Sequence, residues 1–167
     1  MSNKVYHVAI VTVSDKCSRG EREDTSGKLI REIMEANGYR VLRSIILPDE
    51  QDMLEKELRR LCDEDIIDLI LTTGGTGFSH RDRTPEATIA VAERLVPGIP
   101  EAMRMQSMNV TKRAMLSRAA AAIRGKTLIV NLPGSPKAVR ENLEFIISEL
   151  AHGLDILTGN DGECGAL

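Results

Sequence analysis

The sequence predicts an α/β protein whose parallel sheet carries helices on its faces, and two observations predict it. Apolar, β-branched runs at 5–13, 41–47 and 66–73 alternate with segments of helical character, the strand–helix–strand rhythm of parallel sheets. The most apolar of these runs closes in Leu-Thr-Thr-Gly-Gly-Thr-Gly at 71–77, a glycine turn placed between a buried strand and a helix start.

The elements follow in order. Residues 5–13 read as a buried strand and 14–24 as a polar turn. Ser26 reads as the cap of a helix to about residue 37, with Gly38 as its stop. The strand at 41–47 ends at Pro48, and Asp49 opens an amphipathic helix with Met53, Leu54, Leu58 and Leu61 on one face. After the third strand and the glycine turn, Thr84-Pro85 starts a helix to about residue 95, Pro97-Gly98 breaks it, and 100–109 is a further short helix. The alanine run within 118–124 has helical propensity, yet its place before Gly125-Lys126 and the strand at 127–131 equally suits one arm of a hairpin. Ser135, with Pro136 at the first helical position, opens a last helix to about residue 157, and 158–167 is a glycine-rich tail. With no repeat and no dividing linker, residues 1–167 read as one domain.

Composition narrows the function classes. Tyr6, Tyr39, Phe78 and Phe145 are the only aromatic residues, and 25 acids face 22 bases, so the stacking platforms and basic groove of a nucleic-acid binder are lacking. Cys17, Cys62 and Cys164 read as free thiols of a reducing compartment, and the three histidines show no metal-ligand spacing. No apolar run approaches the ~18 residues of a membrane span. A cytoplasmic protein with neither nucleic acid nor membrane as partner is expected.

Of two glycine signals one has the right setting. Residues 120–127, Ala-Ala-Ala-Ile-Arg-Gly-Lys-Thr, match a permissive P-loop, but the residues after Lys126 are strand sequence where a P-loop needs a helix, so the match reads as chance. Gly74, Gly75 and Gly77 instead follow a strand at the edge where α/β sheets place ligands, and glycines let successive N–H groups converge on an anion. A purely structural turn fits that short motif equally. Acids near other strand ends shift the balance: Asp82 five residues beyond Gly77, Asp49 after the second strand, Asp15 and Asp24 after the first. Taken singly, each acid is better explained without function, Asp49 as a helix cap and Asp82 as the partner of Arg81 or Arg83 on a solvated loop; only their joint placement favours a site. Carboxylates beside a phosphate cradle together call for Mg²⁺, because carboxylate and phosphate repel.

These segments together resemble the molybdenum-cofactor biosynthesis domain of molybdopterin adenylyltransferases (the MogA/MoaB type). The resemblance is carried by Thr-Gly-Gly-Thr-Gly-x4-Asp ending at Asp82; by Thr12-Val13-Ser14-Asp15 with Ser18, Gly20, Asp24, Ser26 and Gly27; by Pro48-Asp49-Glu50 and Thr84-Pro85-Glu86-Ala87-Thr88; and by Leu116-Ser117-Arg118 and Asn131-Leu132-Pro133-Gly134-Ser135-Pro136-Lys137.

The resemblance implies a three-layer, doubly wound α/β domain assembled as a homo-trimer or hexamer, with the alanine run as β structure. It implies Mg²⁺-dependent adenylylation of molybdopterin by ATP with release of pyrophosphate. Asp49 and Asp82 match the family's functional acids and would position Mg²⁺ and the reacting phosphates. Gly74, Gly75, Thr76 and Gly77 would hold ATP phosphates; Ser14, Asp15, Ser26, Pro133, Gly134 and Ser135 would complete the nucleotide pocket. Ser117 and Arg118 match a segment near the pterin, where arginine binds phosphate. The alternative is a homologue that binds molybdopterin without chemistry; a nucleotidase using Lys126 ranks last.

Overall fold

The computed structural model describes residues 4–160, so Cys164 and most of the glycine-rich tail lie outside the described residues. Six strands form one sheet: β1 (His7–Val13), β2 (Arg40–Leu47), β3 (Leu69–Thr73), β4 (Arg94–Leu95), β5 (Ala121–Arg124) and β6 (Thr127–Leu132), in the order β2-β1-β3-β6-β5-β4. The pairs β1/β2, β1/β3 and β3/β6 are parallel, whereas β5 runs antiparallel to both its neighbours. The helices are α1 (Asp15–Ser18), α2 (Thr25–Ala36), α3 (Gln51–Asp63), α4 (Thr84–Val91), α5 (Gly98–Met108) and α6 (Pro136–Thr158), with a 3-10 turn at Lys112–Leu116.

Alternation along the central strands divides the core into two halves, because successive strand side chains point to opposite faces. Val8 and Ile10 pack with Leu69 and Leu71 under α2, α5 and α6, which contribute Ile30, Met34, Met103, Leu143 and Leu150. Ala9, Val11, Val13, Ile70 and Ile129 face the other way onto Leu54, Leu58 and Leu61 of α3 and Ala87 and Val91 of α4. Helices on both faces of a mostly parallel sheet are the expected doubly wound arrangement. Cys62 lies buried in the second half, where burial pushes its thiol up to about 11 and keeps it unreactive.

Several local expectations change. Asp24, not Ser26, caps α2, its carboxylate accepting the Gly27 N–H at 2.8 Å. Met53 is exposed, leaving Leu54, Leu58 and Leu61 as the buried stripe of α3. The alanine run is strand β5, joined to β6 by a two-residue turn at Gly125-Lys126 in which Gly125 has φ +57°. Strand, not helix, follows Lys126, which removes the P-loop reading. Helix α4 stops at Val91 because the chain from Ala92 goes extended to pair Arg94 and Leu95 with β5. Tertiary ladder bonds override helix propensity at both places.

One buried amide ties β6 to β3, to α4 and to the start of β5. Asn131, fully buried, donates to the Thr72 and Thr88 hydroxyls at 3.0 and 2.9 Å and accepts the Ala120 N–H at 3.0 Å. Asn131→Leu keeps the volume but strands three polar partners, each costing about 1–3 kcal/mol when left unpaired. A loss of roughly 3 kcal/mol is expected; a denaturant midpoint equal to that of the parent protein would show the network to be dispensable.

Candidate functional site

Strand β1 is followed by β2 on one side and β3 on the other, which opens a crevice at the carboxyl edge, where doubly wound sheets bind ligands. The loops after β1, β2, β3 and β6 meet there around a cavity of about 510 Å³. Its walls include Ser14, Ser26, Asp49, Gly74, Gly75, Asp82, Gly134 and Ser135, which are eight of the fourteen expected site residues. Two helices begin at this cavity. Asp24 caps α2 and is itself fixed by the Thr12 hydroxyl at 2.6 Å, while Ser135 caps α6 through the Ala138 N–H. Ser26, in the first turn of α2, donates to Gly134 O at 2.7 Å, and Thr73 donates to Pro133 O at 2.6 Å, so the β6 loop is held from both sides. Paired helix N-termini favour anionic ligands.

The acids are placed by exchange rather than by capping. Helix α3 has Glu50 at its N-cap and no side-chain cap bond, so Asp49 is not a cap. Its carboxylate accepts the Asp15 N–H at 2.8 Å, and the Asp15 carboxylate accepts the Asp49 N–H at 3.0 Å, which stitches the first and second loops together. Arg81 grips Asp15 through two nitrogens, at 3.1 and 2.9 Å, and reaches Glu50 at 2.7 Å. Arg83 bonds Gln51. Neither arginine therefore serves Asp82, whose carboxylate accepts the Ser79 N–H at 3.0 Å. The Arg81 hydrogen bonds hold the Asp15 carboxyl below its ordinary value. Asp49 is raised, first by burial and further by the charges of Asp15 and Asp82, against the bond from the Asp15 backbone.

The glycine turn has two properties. Gly74 and Gly75 adopt φ +96° and +67°, and an added Cβ at Gly74 would fall well inside contact distance of the Val13 carbonyl oxygen. Beyond the turn's own geometry, the N–H groups of Gly75, Thr76, Gly77, Gly134 and Ser135 donate to no protein acceptor among the described residues. Thr76, Gly77, Pro133 and Ser117 face a second cavity of about 310 Å³, roofed by α5 and the 3-10 turn. The turn thus forms the wall between two cavities. Arg104, on α5, shapes the second by donating to Ser117 O and Ala119 O.

Two expected residues lie elsewhere. Asp15 lines neither cavity and acts through Asp49. The Arg118 guanidinium is turned away from the second cavity onto the glycine turn, donating to Gly77 O and Asp82 O at 2.7 Å each and pairing with Glu86. The sequence reading missed Thr12, Arg22 and Glu23 in the first wall and Arg104 in the second. Asp24 beside the helix start was the available signal for the first group; no spacing announces Arg104, which α5 delivers. Among the described residues no group of three or more His, Cys, Asp or Glu side chains is arranged to hold a metal. Asp49 and Asp82, which both line the first cavity, are a donor pair that suits Mg²⁺, which takes one or two carboxylates and completes its shell with water and phosphate.

The family described as probable molybdopterin binding domain matches residues 9–152. The chain is 44% identical over 159 residues to the molybdopterin adenylyltransferase of Helicobacter pylori (strain ATCC 700392 / 26695), covering 94% of this chain and 90% of that protein. It is 42% identical over 141 residues to the molybdopterin adenylyltransferase of Escherichia coli (strain K12), covering 83% and 72%. Among solved structures it resembles the molybdopterin biosynthesis enzyme MoaB of Thermus thermophilus, with TM-score 0.88 at 49% identity over 93% of this chain and 98% of that one.

Proposed function

Because this chain belongs to the probable molybdopterin binding domain family, we propose that it is a molybdopterin adenylyltransferase of molybdenum-cofactor biosynthesis. A terminal phosphate oxygen of molybdopterin attacks the α-phosphorus of ATP; the new P–O bond replaces the bond to the β-phosphate, and pyrophosphate leaves. The observation that carries the reading is the glycine turn as a shared wall. Gly75 lines the first cavity and Thr76 and Gly77 the second, their N–H groups unpaired among the described residues, and Asp49 and Asp82 line the first.

The nucleotide occupies the first cavity, between the two helix N-termini, with Ser14, Ser26, Gly134 and Ser135 in its walls. The pterin takes the second cavity beside Ser117, its phosphate meeting the nucleotide at the turn. Asp49 and Asp82 would hold Mg²⁺, which neutralises phosphate charge and polarises the α-phosphate when bound. The chain itself supplies alignment and donors, the main requirement of phosphoryl-type transfer, with little covalent help. Asp15 and Arg81 keep Asp49 in place. The protein acts as one domain in the cytoplasm, as a homo-trimer or hexamer. Exposed Leu95 and Phe145 supply apolar surface for such assembly, and solution mass measures its order.

The test is incubation with molybdopterin, ATP and Mg²⁺. One pyrophosphate per adenylylated pterin is expected, with no product when Mg²⁺ is chelated. Tight pterin binding without ATP consumption would instead identify a non-catalytic binder.

A further inference from the structure

Arg118 stands where the segment lining the second cavity passes the loop that carries Asp82. Its backbone N–H donates to Thr76 O at 2.9 Å. Its side chain bonds the carbonyls of Gly77 and Asp82, the two ends of one six-residue loop, and Glu86 on α4 takes the third nitrogen. Two carbonyls on one planar guanidinium pinch that loop shut. The pinch matters because the loop sets where the Asp82 carboxylate sits: it is held by the Ser79 N–H, and an added Cβ at Gly77 would lie 2.9 Å from it. Neither Arg118 nor Glu86 lines either cavity.

We infer that Arg118 is a positioning residue, a three-armed clamp that sets Asp82 and the unpaired N–H groups of the turn relative to each other, instead of a ligand for the pterin phosphate. The clamp also joins the sites. Ser117, the adjacent residue, lines the second cavity, so a substrate that displaces it pulls on the loop bearing Asp82. A planar fork that bonds carbonyls in fixed directions has no lysine equivalent, and the two roles differ in what its loss changes: turnover and Mg²⁺ dependence for a clamp, pterin KM for a phosphate ligand. Glu86 belongs to the clamp without touching substrate. This inference rests on the adenylyltransferase reading and refines one of its residues.

The experiment compares Arg118→Lys and Glu86→Gln with the parent protein, after melting curves establish which variants fold. Steady-state kinetics and the thermal shift produced by ATP as a function of Mg²⁺, without pterin, are the readouts. A misplacement on the order of 1 Å costs about 100-fold, so Arg118→Lys is expected to lower kcat about that much with the pterin KM within about 3-fold. Glu86→Gln should lower kcat about 10-fold, and both variants should need roughly 10-fold more Mg²⁺ for the half-maximal ATP shift, effects sized as a partial version of that misplacement. A tenfold or greater rise in pterin KM with unchanged kcat and Mg²⁺ dependence in Arg118→Lys would overturn the assignment, and so would a Glu86→Gln protein indistinguishable from the parent. Glu86→Gln alone decides if Arg118→Lys does not fold. Absence of turnover in the parent defeats the adenylylation reading but leaves the Mg²⁺–ATP shift to judge the clamp. Absence of that shift in the parent defeats both.

Discussion

Asp49→Asn is expected to lower turnover at least ~100-fold, comparable to removing one preorganised electrostatic contact, while raising the melting temperature of the ligand-free protein at neutral pH. The two effects share a cause. Asp49 is partly buried with Asp15 and Asp82 nearby, and burial first, then those charges, raise its pKa in the folded state. A carboxyl whose folded pKa exceeds its unfolded value binds more protons when folded, so its stabilising contribution is complete below the ordinary value near 4 and is lost as pH rises through the raised value. At pH 7 the folded protein carries an ionised group it would hold more easily neutral. Asparagine removes that penalty and keeps an oxygen to accept the Asp15 N–H. Calorimetric scans from about pH 3.5 to 7, a range that spans the ordinary carboxylate value, should show the variant's melting advantage growing with pH and vanishing at the acid end. An advantage independent of pH would mean that packing, not charge, is responsible. On the proposed reaction, the acid limb of kcat/KM is expected above the ordinary carboxylate value, because Asp49 is raised. Asp82→Asn should match the loss of turnover, and near-normal rates in either folded variant would remove that acid from its proposed role.

The fold was largely legible because its signals are local and repeated. The unbroken apolar run of β1, buried on both faces, the Ser135-Pro136 helix start and the glycine turn each announce themselves within a few residues. The departures occur where distant partners decide. Four alanines in or beside β5 have helical propensity, but Asn131 of β6 takes the Ala120 N–H, and the β6 ladder offers bonds that an isolated helix cannot match. Met53 has the spacing of a buried face and lies just outside it. At the site, residue identity was easier to read than geometry. Asp49 and Asp82 stood out as acids after strands, but nothing in the sequence says that Asp49 exchanges bonds with Asp15, since the partners are 34 positions apart. Arg118 shows the same limit. An arginine beside a phosphate site suggests a ligand; that its three nitrogens are engaged by Gly77, Asp82 and Glu86 depends on how the chain returns.

Two glycines of one turn should respond oppositely to alanine, and the contrast separates shape from chemistry. Gly74→Ala puts a methyl group against the Val13 carbonyl, a backbone atom at the end of β1, at a φ of +96° that side chains rarely adopt. No rotamer relieves this, so the ends of β1 and β3 must part. The unfavourable φ alone costs roughly 1–2 kcal/mol. Separating the strands adds packing loss, and a total of about 3 kcal/mol corresponds to a melting temperature lower by roughly 6–12 °C in a chain of this size. Gly77 has no positive φ, and its added methyl meets the Asp82 carboxylate, which can swing aside. Gly77→Ala is therefore expected to melt within about 3 °C of the parent, a cost below roughly 1 kcal/mol, yet to lose at least ~10-fold in kcat because the displaced group is the proposed Mg²⁺ ligand. Thermal melts and kinetics on the same two proteins decide the matter. If Gly77→Ala turned over normally, Asp82 would not need its present position. If Gly74→Ala melted like the parent, the close approach of β1 to the turn would not be what demands glycine there. The expected split assigns Gly74 to holding the strands together and Gly77 to leaving Asp82 its place.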